Sequence, residues 1–125
     1  MSDYFPINEA DVNNMNVGFS SCCLDVNNGA KICSINYFSN DCGINLVLEF
    51  NDIDNQQEPC IFSIDYSCKI SLVKKMISGL AVLLKSKGFN KLLCWEPEEN
   101  SEEEELYKSL GFDVNVNFPD YLVRE

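Results

Sequence analysis

Asn100-Ser101-Glu102-Glu103-Glu104-Glu105-Leu106-Tyr107-Lys108-Ser109-Leu110-Gly111-Phe112 reads as one short helix with a charged start, a firm stop and a strand beyond it. The Glu run suits the positive end of a helix dipole. Gly111 ends the helix because it takes left-handed backbone without a Cβ penalty. The stretch predicts a helix over residues 101–110 and a strand over 112–118. Tyr107 falls seven residues after Asn100 and four before Gly111, beside Leu106.

The residues before it have the same alternation of helix and strand. Residues 91–95 form a short apolar run that predicts a strand. Val73, Met76, Ile77, Leu80 and Leu84 fall at i, i+3, i+4, i+7 and i+11, the single stripe of an amphipathic helix over residues 72–87. Lys85 and Lys87 complement its C-terminal dipole and Gly88 caps it.

Upstream of residue 66 the period is two. Residues 17–26 predict a strand, and Asn27-Asn28-Gly29 is a strong hairpin signal. Residues 30–38 alternate, with Ile32, Ser34 and Asn36 on one side and Lys31, Cys33, Ile35 and Tyr37 on the other. A turn over 39–43 leads to a third strand at 44–50, a polar loop at 51–59 and a fourth strand at 60–64. The expected architecture is a single α+β domain over residues 1–125: a four-strand antiparallel meander, then α-β-α-β.

Composition narrows the function. A chain of 125 residues with 46% apolar residues and eight Phe can bury a core. No apolar run reaches the ~18 residues of a membrane span. No basic segment followed by an apolar stretch opens the chain, so a cytoplasmic location without membrane attachment is expected. The seven cysteines are odd in number and include no Cys-x-x-Cys pair. Cys22, Cys23, Cys33, Cys60 and Cys94 lie in apolar runs and are expected to be free, buried hydrophobes. With no His in the chain, a zinc site and a His-activated nucleophile are not expected.

The net charge is −11. Residues 1–65 hold ten acids and one base, whereas residues 66–125 hold ten acids and eight bases. Such a charge repels nucleic acid and favours a basic partner. Glu96 to Glu105 supplies seven Glu in ten residues. This run is a candidate surface for a basic protein, through mimicry of nucleic-acid phosphates.

The Asn-x6-Tyr-x3-Gly-Phe spacing resembles the last helix of the GNAT superfamily of N-acetyltransferases. The resemblance covers residues 60–118 by pattern and 17–59 by topology. It implies a mixed GNAT-like sheet in which the two helices between the family's first and second strands are missing. It implies acetyl transfer from acetyl-CoA to an amine, with the cofactor where the fourth and fifth strands splay. Tyr107 becomes the general acid for the departing thiolate. Ile64, Tyr66, Lys69, Ser71, Leu72, Lys74 and Asn100 become the cofactor-binding residues.

The family's cofactor loop carries Gln/Arg-x-x-Gly-x-Gly/Ala before its long helix, and those places fall here on Cys68, Ser71 and Val73. Side chains at Ser71 and Val73 are expected to crowd a phosphate, while Lys69, Lys74 and Lys75 offer charge in compensation. An acidic rim of Asp65, Glu96, Glu98 and Glu99 suits a cationic amine. Two functions follow: a minimal acetyltransferase, or a non-catalytic acidic protein-binding module or inhibitor on a degenerate GNAT-like fold.

Overall fold

Among the described residues, seven strands form one mixed sheet in the order β1-β2-β3-β4-β5-β7-β6. The computed structural model describes residues 7, 10–11, 22–26, 32–38, 41–53, 56–118 and 120–124. The strands are β1 (Cys22–Val26), β2 (Ile32–Phe38), β3 (Gly43–Ile53), β4 (Gln56–Tyr66), β5 (Leu92–Trp95), β6 (Asp113–Val114) and β7 (Tyr121–Arg124). Helix α1 (Ile70–Ser86) joins β4 to β5, and α2 (Glu102–Ser109) follows β5. The segments expected at 17–21 and at the 27–29 turn lie outside the described residues. Residues 27–31 alone separate β1 from β2, too few for two intervening helices.

Antiparallel pairing runs from β1 through β4, with Ile35 opposite Leu46 and Leu46 opposite Ile64. Paired residues share a face, so the period-two positions converge. Cys33, Ile35, Ile44, Leu46, Leu48, Phe50, Ile61 and Ile64 enter one buried cluster. The helical stripe closes it: Val73, Met76, Ile77, Leu80 and Leu84 are all buried against that face. Burying each such side chain contributes about 1.5–3 kcal/mol, which holds α1 on the sheet. Gly88 (φ 98°) follows the C-cap, and the Phe89 N–H reaches back to the Leu84 carbonyl at 3.0 Å.

Two expectations are corrected. The polar stretch 51–59 is not a loop: β3 continues to Ile53 and β4 starts at Gln56, with Asn51 opposite Glu58. Ladder pairing with the neighbouring strand overrides weak strand propensity here. Residues 112–118 are not a strand beyond Val114. Asn115 accepts the Asn117 N–H at 2.9 Å and its carbonyl takes the Phe118 N–H, which makes a turn. The strand beside β5 is instead β7, with Leu93 opposite Val123. Two cysteines outside the apolar runs, Cys42 and Cys68, for which the sequence alone makes no assignment, are joined in a disulfide. Cys33, Cys60 and Cys94 are free and buried as expected.

Candidate functional site

β4 and β5 run parallel and pair only at Cys60 with Leu93 and at Ile61 with Cys94. Beyond that point β4 continues to Tyr66, while β5 ends at Trp95. The last five residues of β4 therefore have no ladder partner on β5. β4 also bulges there: Leu48 opposes Ile61, Val47 opposes Ser63, and Phe62 is left unopposed and 54% exposed. A bulge frees backbone groups from the ladder and re-aims the side chains around it.

A cleft of about 520 Å³ opens beside the unpaired end of β4, lined by Ile64, Asp65 and Tyr66 from β4 and by Glu98, Ser101, Glu102 and Glu103 around the start of α2. Four of these seven residues are acids and none is basic. The cleft therefore favours a cation over an anion.

Tyr66 crosses one end of it. Its hydroxyl donates to the Glu102 carboxylate, tying the end of β4 to the first turn of α2. Burial, and next the Glu102 hydrogen bond and charge, push the Tyr66 phenol up to about 12. The phenol therefore stays protonated at neutral pH. Trp95 does not enter the cleft. It turns to the other side of the sheet, where its Nε1–H donates to Glu49 at 3.1 Å and its ring lies 4.6 Å from that of Tyr121.

The start of α2 is built by local hydrogen bonds. Ser101 accepts the Glu104 N–H at 3.1 Å, and the Glu104 carboxylate accepts the Asn100 N–H at 3.0 Å. This is the reciprocal logic of a capping box, shifted by one residue. Asn100 takes the left-handed φ of 64° that Asn tolerates better than most residues. Replacing Ser101 with Ala removes one partner of an orphan N–H; it should cost about 1 kcal/mol, seen as a lower urea midpoint at unchanged slope.

Tyr107 lies one turn further along α2. It is 3% exposed, packs edge-on against Phe112 at 5.2 Å, and is not among the cleft-lining residues. Burial above all, then the charges of Cys94 and Glu103, hold its phenol far above the ordinary tyrosine range. Such a group can give a proton but does not act as a base at neutral pH.

The start of α1 has the opposite character. Lys69 is its N-cap, in extended conformation, with no side chain capping the helix and no acid in the first turn. Lys69 and Ser71 are exposed, while Leu72 and Lys74 are half-buried. Uncapped N–H groups beside lysines suit an anion. Val73 is fully buried and points to the core, so the crowding expected from it does not occur. Ser71 alone stands where the family's loop has its first glycine.

The expected residues thus divide into two groups. Lys69, Ser71, Leu72 and Lys74 gather at a cationic helix start. Tyr66 and Asp65 face the acidic cleft with α2, Ile64 is nearly buried behind them, and Asn100 sits exposed on the turn into α2. Among the described residues no group of three potential ligands could hold a metal. Sequence reasoning missed the Phe62 bulge, the Tyr66–Glu102 bridge and the disulfide. Only the cap had a legible signal, Ser101 followed three residues later by Glu104.

No protein-family model and no curated protein matches this chain.

Proposed function

We propose that the chain is a divergent GNAT-like domain that takes acetyl-CoA at the opening between β4 and β5 and transfers its acetyl group to an amine. The observation that carries this reading is the parallel β4–β5 pairing limited to two residue pairs, with the uncapped start of α1 soon after β4. The order of elements, a four-strand meander followed by α-β-α-β-β, also supports it.

The residues present fit the cofactor's phosphates at one place. Uncapped N–H groups of the first turn of α1, with Lys69 and Lys74, would hold the pyrophosphate. The acidic cleft would attract the cationic form of the amine, and a carboxylate such as Asp65 would take its proton. On attack by the amine the carbon–sulfur bond of the thioester would break, the acetyl group passing to nitrogen and Tyr107 giving a proton to the sulfur, after which solvent would reprotonate Tyr107. No enzyme nucleophile is needed, in keeping with a chain without His.

Calorimetric titration of acetyl-CoA tests the reading. Binding in the micromolar range, weakened at least tenfold by Lys69→Glu with Lys74→Glu, is the expected result. No heat at millimolar cofactor overturns it.

A second reading is favoured by one observation: Tyr66 already spans the cleft to Glu102, and the lining acids repel a polyanion such as CoA. Under it the domain is a non-catalytic module that binds a basic protein through Glu102, Glu103, Glu104 and Glu105. Polylysine binding that is lost on replacing those four with Gln, and weakened by salt, would support it. Undiminished binding in that variant would count against it.

A further inference from the structure

The disulfide joins two turns that border the start of α1. Cys42 precedes β3, and Cys68 lies between β4 and the N-cap Lys69. The same two turns exchange a pair of hydrogen bonds. The Gly43 N–H donates to the Ser67 hydroxyl at 3.0 Å, and the Ser67 N–H donates to the Gly43 carbonyl at 3.0 Å. The clamp is therefore one covalent bond and two hydrogen bonds, and it fixes the loop that leads into the uncapped helix end.

The two sulfurs are not equivalent. Cys68 is 7% exposed, whereas Cys42 is half-buried and so is the more open to attack. A thiolate released from Cys68 would sit beside Lys69 at the positive end of a 17-residue helix with no acid in its first turn. That setting stabilises a thiolate and makes Cys68 the better leaving group. Among the described residues the free cysteines, Cys33, Cys60 and Cys94, are buried in the sheet and do not compete.

We propose that Cys42–Cys68 is a thiol–disulfide exchange site whose opening loosens the start of α1. This rests on the proposed function only for its effect on cofactor binding. A small thiolate attacks the Cys42 sulfur. The bond to Cys68 breaks, Cys68 leaves as a thiolate, and Cys42 carries the mixed disulfide. A second thiolate attacks the outer sulfur of that adduct, leaving Cys42 as a thiolate and the two small thiols joined as their own disulfide. Both protein thiolates then take protons from water.

The test uses the folded protein in millimolar glutathione, quenched with acid and mapped by peptide mass spectrometry. The expected result is a glutathione adduct on Cys42 with Cys68 free, while Cys33, Cys60 and Cys94 stay unlabelled. Amide hydrogen exchange should accelerate at least tenfold over residues 67–72 in the opened form and in the Cys42→Ser/Cys68→Ser variant, with the β2–β3 ladder unchanged. Opening seen only together with labelling of the buried cysteines would overturn the proposal, because it would report global unfolding. Unchanged exchange at 67–72 would overturn it as well.

Acetyl-CoA titration of the linked and opened forms separates this proposal from the reading it rests on. A tenfold weaker affinity in the opened form supports both. Absence of binding in either form removes the acetyl-transfer reading, and the exchange data then decide the switch alone.

Discussion

Raising the pH from 9 toward 12 should unfold the protein cooperatively. Cys33 and Cys94 are each pushed from an ordinary 9.0 up to about 12 by burial. Burial first, and then the Glu49 charge, raises Cys60 further still. These thiols are neutral when protonated, and the folded chain keeps them so. Below pH 9 neither state ionises them and their contribution is fully present. Above pH 9 the unfolded chain loses its protons while the folded chain does not, so stability falls as the pH rises. The slope is about 1.4 kcal/mol per pH unit for each thiol.

For Cys33, Cys60 and Cys94, the free thiols among the described residues, the loss between pH 9 and 11 reaches roughly 8 kcal/mol, comparable to the whole stability of a typical domain at about 5–15 kcal/mol. Tyr66 and Tyr107 act in the same direction from pH 10. Circular dichroism against pH checks this. A native spectrum that persists at pH 12 would contradict it, and Cys94→Ala should make the decline shallower.

If the proposed acetyl transfer holds, Tyr107→Phe should lower its turnover by about 100-fold, the lower end of what a positioned general acid contributes. Cofactor affinity should stay within about twofold, since in the proposed role the hydroxyl would act on the departing sulfur and not on the phosphates. The fold should be kept, because Phe preserves the edge contact with Phe112 and the burial of the ring. Tyr107 stays protonated throughout the neutral range, so its ionisation should not shape the pH–rate profile below pH 10. Equal turnover in mutant and parent, measured by thiol release, would remove the assigned role.

Much of the fold was legible in the residues. The stripe from Val73 to Leu84 and the alternation of Cys33 and Ile35 predicted which side chains are buried, because burial of one face imposes a period of 3.6 or of two. The β3–β4 extension was misread because Asn51, Gln57 and Glu58 look like loop residues. Pairing carries them into the sheet, and Glu58 is only 7% exposed. β7 was missed because four residues give too little periodicity.

The site was legible at the level of residue types and not of geometry. Lys69, Ser71 and Lys74 gather at one helix start, as their spacing implies. The bulge at Phe62 is a matter of register, which depends on the partner strand and leaves no local mark. The disulfide depends on two turns meeting across 26 residues of sequence, and nothing in either turn names the other.

The place of β7 in the sheet sets the order of assembly. It lies between β5 and β6, and β5 has only two paired residues on its other side. A chain emerging from the ribosome can close the meander from β1 to β4 early, since each strand pairs with the one before it. The cleft half of the domain must wait until residues 121–124 have been made, because those residues complete the ladder that holds β5. Until then β5 shows an open edge, and the interval is the one in which a nascent chain is most exposed to wrong strand pairing.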